Sequence, residues 1–461
     1  MKLKFFGGAQ VVTGANYLLE AANKDGRIVR IIVDCGLSQG GGKSEEKNYE
    51  KFPYDPKEIE AVLVTHAHID HTGRLPFLYR SGFRGRIFST CPTRDFAEQL
   101  LIDSQGLLEK DAEKDGRSPL YTIHDVEDTM HLWTGFNYHQ KIEIGPFEAE
   151  FFDAGHILGS SFIRITGPGD DGTQKTIIFS GDLGNTATPL VRDTEEPKPA
   201  DYVVMESLYG DKLHEAVEKR KDRLEDAIEE AVTDGGVLMI PAFAMERTQE
   251  LLYEMNELME NRRIPRVPIF IDSPLAIKLI AIYKKYSDDP EYFDDEAISL
   301  FHKGDEIFNF PGLTLSLTTA QSKEINNVPP PKIIIAGSGM SEGGRMIHHE
   351  YRYLSDPKST ILFISYQSPN SLGRKIMDGA KMVKIFGEDI IVRCKIKSIG
   401  GYSAHADQKK LLDWLRPARH SVKRVFLVQS ETEAADIFAV KVRDELALDA
   451  RVPGDNEEVS L

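Results

Sequence analysis

Over the first two hundred residues, short apolar runs alternate with polar and glycine-containing breaks. Residues 27–34 (RIVRIIVD) form a β-branched run closed by Cys35-Gly36, and residues 61–65 (AVLVT) form another. Residues 149–152 stand ahead of Asp153-Ala154-Gly155-His156, and residues 176–179 ahead of Ser180-Gly181-Asp182. Runs of this length, bounded by small polar residues, predict strands. This half of the chain is expected to be strands and turns rather than long helices, with strand ends delivering His or Asp to loops.

After residues 194–200 (TEEPKPA), whose prolines mark a boundary or a crossing, the pattern lengthens. Residues 215–232 carry apolar positions at helical spacing, followed by Gly235-Gly236 and the apolar run 237–240. Residues 246–261 read as a second helix, 267–272 as a strand, and Pro329-Pro330-Pro331 stiffens the approach to a strand over 332–336. Such alternation implies a mostly parallel sheet flanked by helices, so the fold class is α/β. Residues 453–461 are expected to be loose.

A length of 461 residues suits two or three domains, and 41% hydrophobic with 28% charged residues excludes a disordered chain. The absence of a run of eighteen apolar residues predicts no membrane span. Cys35, Cys91 and Cys394 form no CxxC pair, which points to a reducing, cytoplasmic setting. The net charge of −17 speaks at first against a nucleic-acid partner.

The strongest chemical signal is Thr65-His66-Ala67-His68-Ile69-Asp70-His71, directly after a predicted strand. Neutral imidazole and carboxylate suit zinc, and two histidines one residue apart in an extended loop can turn to one ion, with Asp70 and His71 pointing to a second. A run of surface histidines or a structural metal site is the plainer alternative. His156 can complete a three-histidine set and Asp182 can bridge two ions, although either alone reads equally as a satisfied core or turn residue.

With these residues in place the chain resembles the metallo-beta-lactamase-fold hydrolases. Its later half resembles the beta-CASP nucleases, which include bacterial and archaeal ribonucleases and the endonuclease subunit of pre-mRNA cleavage. The early elements are GANYLLE (14–20), DCGL (34–37), THAHIDH, GHILGS and SGDLG. The later ones are MESLYGD (205–211), PAFAMERTQE (241–250), DSPLA (272–276), GSGMSEGGR (337–345) and SAHAD (403–407). The resemblance implies an αββα sandwich with an inserted α/β beta-CASP domain and an active site in the cleft between them. The expected divisions are 1–205, 206–365 for the insert, and 366–461.

It also implies roles. Asp34 would stand behind the metal histidines, and Glu206 would pair with His405, the general acid for the leaving oxygen. Arg247 would approach the substrate backbone. The loop carrying Ser338, Gly339, Met340, Ser341, Gly343 and Gly344 would offer backbone N–H groups to a phosphate. A zinc-activated hydroxide would attack RNA. One position departs from the family pattern: the histidine expected after residues 424–428 (RVFLV) is Gln429, whose amide oxygen is a poor zinc donor. Two Zn2+ sites are therefore expected, the second weakened.

The leading expectation is a metal-dependent ribonuclease acting on single-stranded RNA, endonuclease or 5′ exonuclease, away from membranes, with a homo-oligomer left open. A catalytically weakened RNA-binding scaffold is the second reading, and a non-nucleolytic metallohydrolase the third. Residues 366–424 hold thirteen Lys and Arg against five acids, a net of +8 in an acidic chain, and are expected to face RNA.

Overall fold

The computed structural model describes every residue except 41–42, 187, 215–218, 304–305 and 369. The chain divides into two units, one made of Met1–Leu213 with Ala404–Leu461 and the other of His214–Ser403.

The first unit holds two seven-stranded sheets. One runs Glu458–Ser460, Lys2–Gly7, Asn16–Ala22, Ile28–Val33, Ile59–Leu63, Arg86–Thr90, Trp133–Phe136. The other runs Ala450–Arg451, Arg424–Val428, Tyr202–Glu206, Gln174–Phe179, Ser161–Pro168, Phe147–Asp153, Lys141–Ile144. Alternating inward residues join them, with Phe5 and Phe426 rings 5.5 Å apart and Tyr17 and Phe179 rings 5.8 Å apart. Helices Gln408–Leu415 and Thr432–Leu446 cover the second sheet through Leu411, Leu415, Phe438 and Val442. Helix Cys91–Asp115 packs beside Arg86–Thr90 and Trp133–Phe136. This is the αββα sandwich expected.

Strand direction assembles the site. Gln174–Phe179, Tyr202–Glu206 and Arg424–Val428 are mutually parallel, and Phe147–Asp153 reaches the same direction through two antiparallel pairings. Their C-terminal ends deliver His156, Asp182, Glu206 and Gln429 to one end of the sheet. Ile28–Val33 and Ile59–Leu63, parallel in the facing sheet, deliver Asp34 and the residues from Thr65 onward.

Two expectations need correction here. Residues 91–131 hold helices Cys91–Asp115 and Ile123–His131, not strands and turns. The first has a Thr90 cap, Pro92 in its first turn and buried Phe96, Ala97, Leu100 and Leu101, a helical pattern that its polar remainder and Gly106 obscure. The tail is ordered, because Glu458–Ser460 pairs antiparallel with residues at the start of Lys2–Gly7. Of the two readings given for residues 194–200, the crossing holds: they lie within the first unit, where the Glu195 carbonyl accepts the Trp414 indole N–H at 2.9 Å.

The second unit is an all-parallel sheet in the order Leu313–Leu315, Ile269–Ile271, Lys332–Ala336, Val237–Pro241, Thr360–Phe363, Lys395–Ser398. Its central strands are buried throughout, as covering helices on both faces require. The return to the first unit comes at Ala404 and not near 366, because Lys395–Ser398 is paired with Thr360–Phe363. Of the predicted helix 215–232, residues 215–218 lie outside the described residues and the observed helix is Arg220–Asp234.

A buried acid in this unit carries a prediction. The Glu350 carboxyl, on helix Met346–Tyr353, accepts a hydrogen bond from the Ser341 hydroxyl and is shut away from solvent. Burial pushes it up to about 8 from 4.5, against the Ser341 bond. The folded protein thus holds a proton that the unfolded chain releases, so stability falls as pH rises between those two values and levels above them. Between about pH 6 and pH 8 the loss from this group is roughly 2–3 kcal/mol. Chemical denaturation across that interval should show Glu350→Gln lacking this share of the fall. Equal pH dependence in the two proteins would exclude Glu350 as its source.

Candidate functional site

Asp34 is the anchor of the centre. It follows Ile28–Val33 with φ 58°, and its carboxylate accepts the Thr65 N–H and the Thr65 hydroxyl, each at 2.8 Å. Its second oxygen also stands 2.8 Å from His71 Nδ1. Gly36 makes this possible, because a Cβ there would fall 1.5 Å from the Asp70 carbonyl oxygen. Thr65 Oγ1 lies 3.1 Å from His66 Nδ1, so one hydroxyl ties Asp34 to the histidine loop. Nothing in the sequence assigns Thr65 a role. Its only signal was its place directly before His66.

Four ligand atoms converge beside it. His66 Nε2 and His68 Nδ1 are 3.0 Å apart, and His156 Nε2 and His68 Nδ1 are 3.3 Å apart. Asp182 Oδ2 is 3.3 Å from His66 Nε2 and 3.5 Å from His156 Nε2. A tetrahedron with zinc–ligand bonds of about 2.0–2.1 Å has edges of about 3.3–3.4 Å, so the spacing fits one such ion. Burial, with the neighbouring imidazoles, lowers the proton affinity of His66, His68 and His156, which favours the neutral form a metal requires. Burial alone would raise Asp182, but His71, His66 and His405 outweigh it and hold the carboxylate well below the usual range.

His156 and Asp182 reach this point through loops in close contact. A Cβ on Gly184 would meet the Gly155 carbonyl oxygen at 1.8 Å, so only glycine lets the two loops touch. Gly184 also forms an isolated antiparallel bridge with His405, which brings the C-terminal return to the centre.

The second expected set does not close in the same way. Asp70 Oδ2 remains 3.9 Å from His71 Nε2, while the Gln429 amide nitrogen lies 2.9 Å from His71 Nε2 and 2.8 Å from Asp182 Oδ1. Burial raises Asp70 and favours its neutral form, against the pull of His71. Burial also pulls His71 down, but Asp182 and Asp34 outweigh it and raise its proton affinity well above the histidine range. The Gln429 NH2 can donate to His71 Nε2 only in the neutral tautomer whose ring proton lies on Nδ1, facing Asp34.

Glu206 and His405 form the remaining pair. Glu206 is fully buried, with Oε1 accepting the Leu183 N–H at 2.5 Å and Oε2 standing 3.2 Å from His405 Nδ1. Burial pushes the carboxyl up, with His405 opposing. For His405, burial pulls down, but Glu206 and Asp182 prevail and hold the imidazole at about 9. Its ring lies 4.6 Å from that of His156. An imidazole whose proton affinity is raised thus stands at the edge of the cluster that could hold a metal.

The other expected site residues lie in the second unit. Arg247 opens helix Arg247–Glu260, buried and ion-paired with Glu250, so its guanidinium is not presented at a surface. In the glycine-rich loop, Ser338 Oγ accepts the Glu342 N–H, the Ser341 N–H is given to the Ser338 carbonyl, and the Ser338 N–H to the Gly343 carbonyl. These N–H groups are occupied within the loop. The Gly339 and Met340 carbonyls bind the Gln367 amide and the Gly373 N–H, and Gly343 and Gly344 take φ of +89° and +63°.

The basic segment is divided as well. Arg374, Lys384, Lys395 and Lys397 pair with Asp378, Asp389, Glu230 and Asp234 in the second unit. Lys409, Arg416, Lys423 and Arg424 pair with Asp413, Asp201 and Asp449 in the first. The surplus of charge in sequence is therefore not one unpaired surface.

Comparison with known proteins gives a consistent picture. Residues 13–83 match the Metallo-beta-lactamase superfamily, 248–376 the Beta-Casp domain, and 389–453 the Zn-dependent metallo-hydrolase RNA specificity domain. Ribonuclease TTHA0252 of Thermus thermophilus is 36% identical, with 94% of each chain covered. Transcription termination factor FttA of Methanosarcina mazei is 28% identical over 100% of this chain and 72% of its own, and that of Thermococcus kodakarensis 30% over 94% and 67%. A protein of unknown function from Enterococcus faecalis V583 shares the fold alone, with TM-score 0.55 and 13% identity over 100% of this chain and 99% of that one.

Proposed function

Because the chain belongs to the Beta-Casp family of metallo-beta-lactamase-fold RNA nucleases, we propose that it is a zinc-dependent ribonuclease hydrolysing phosphodiester bonds of single-stranded RNA. The observation that carries this is the convergence of His66, His68, His156 and Asp182 beside the Glu206–His405 pair. The first four would hold the ion, and the ion would supply an activated water and stabilise charge on the phosphate.

The rest falls to this chain's own groups. Asp34 and Thr65 orient the histidine loop, so ligand directions are set before substrate arrives. Glu206 keeps a proton on His405 and, by engaging Nδ1, assigns the transfer to Nε2. The imidazole then gives that proton to the departing ribose oxygen. A small ester or amide has a different leaving group and gives the inserted parallel-sheet unit no task.

Labelled single-stranded RNAs carrying 5′-phosphate or 5′-hydroxyl ends test the reading. Cleavage that chelator and His66→Ala both remove is expected, and stepwise loss from 5′-phosphate ends alone identifies the exonuclease mode. Binding without cleavage would favour the weakened scaffold. Neither binding nor cleavage would leave a non-nucleolytic hydrolase.

A further inference from the structure

Gln429 is placed where a second ion would be, and its chemistry suits a different occupant. Its side-chain nitrogen is within hydrogen-bond distance of two atoms that would ligate that ion, His71 Nε2 at 2.9 Å and Asp182 Oδ1 at 2.8 Å. Which end of the amide faces inward follows from its neighbours. The structure turns the NH2 toward Asp182 Oδ1 at 2.8 Å, where a carboxylate oxygen accepts and an amide oxygen would face another acceptor. His71 Nε2 accepts too, in the tautomer whose Nδ1 proton faces Asp34 at 2.8 Å. Two protons on one nitrogen meet two lone pairs, which is the task a cation would perform between the same atoms.

The residue is also held in place. Gln429 is buried, its backbone N–H is given to the Gly8 carbonyl at 2.5 Å, and its φ is 53°. Asp70, the remaining expected ligand, has its Oδ2 3.9 Å from His71 Nε2, farther than either contact of the Gln429 amide. Among the described residues, His66, His68, His156 and Asp182 form a tetrad of converging ligand atoms, and Asp70, His71 and Asp182 do not meet the same spacing.

We propose that the Gln429 carboxamide replaces the second metal ion, so that this centre takes one ion. The inference rests on the reading of the first tetrad as a metal site, and it differs from a merely weakened second site in a way that can be measured. If the amide oxygen were a poor ligand, removing it would weaken second-ion binding further. If the NH2 blocks the position, removing it frees His71 and Asp182 and strengthens binding.

The test is zinc stoichiometry and affinity. The full chain is stripped with chelator, reloaded, freed of excess zinc and analysed for metal per chain, and a cobalt titration follows the same ligands by absorption. The wild-type chain should retain one zinc and Gln429→His two. Gln429→Ala should take a second zinc about tenfold more tightly than wild type, since the charge-assisted contact with Asp182 and the neutral one with His71 no longer have to be displaced. Two tightly retained ions in the wild-type chain, or weaker second-ion binding in Gln429→Ala, would overturn the proposal. RNA cleavage is not part of this readout. A chain that holds one zinc and cuts no RNA would remove the proposed function and leave this inference standing.

Discussion

Asp182→Ala is expected to fold and to lose both its metal and its RNA cleavage. The carboxylate lies within 3.3–3.5 Å of His66, His71 and His156 and accepts the Gln429 amide at 2.8 Å. It is the only anion in the converging tetrad. Without it three neutral imidazoles would share a divalent ion with no charge to offset it, and His405 would lose one of the carboxylates that keep it protonated. The strand that carries it ends before the loop, so the sheet pairing of Gln174–Phe179 should survive. Metal affinity should fall by about 10–100-fold or more and cleavage rate by about 10²–10³-fold, with an unchanged circular dichroism spectrum. A variant that retains wild-type zinc and rate would mean that the tetrad is not the metal site.

His405→Ala is expected to separate chemistry from metal binding. Zinc content should stay at the wild-type value, because His405 is outside the tetrad, while kcat falls by about 10²–10⁴-fold, the usual worth of a positioned proton donor. Glu206→Gln adds a pH signature. A general acid must be protonated, so the rate declines as pH rises through its pKa, about 9 in the environment described. Removing the Glu206 charge takes away the largest influence that raises it, so the alkaline limb should move to lower pH. Zinc loss in His405→Ala would make it a ligand. An alkaline limb that stays in place in Glu206→Gln would separate that carboxylate from the proton.

The strands were legible because their apolar runs end in chemistry-bearing residues, and the predicted 332–336 is the observed Lys332–Ala336. Helix Cys91–Asp115 was not, since its polar residues outnumber its buried ones and a glycine sits in its interior. The ordered tail was hidden for a different reason. Residues 458–460 gain partners only from the other end of the chain, a pairing that no local pattern contains.

The candidate site divides in the same way. His66, His68, Asp70 and His71 announce themselves by spacing alone, and the family pattern adds His156, Asp182, Glu206 and His405. Their identities belong to the sequence, as does the substitution at Gln429. Sequence could count the charges of residues 366–424 but not their pairing, and it could name Arg247 but not its burial against Glu250. It could register the missing histidine as a missing ligand. That the amide nitrogen instead turns toward His71 and Asp182 depends on atoms 358 and 247 residues away in the chain. Hydrogen bonds are directional and short, so their partners are decided only when strands from distant segments end at the same place.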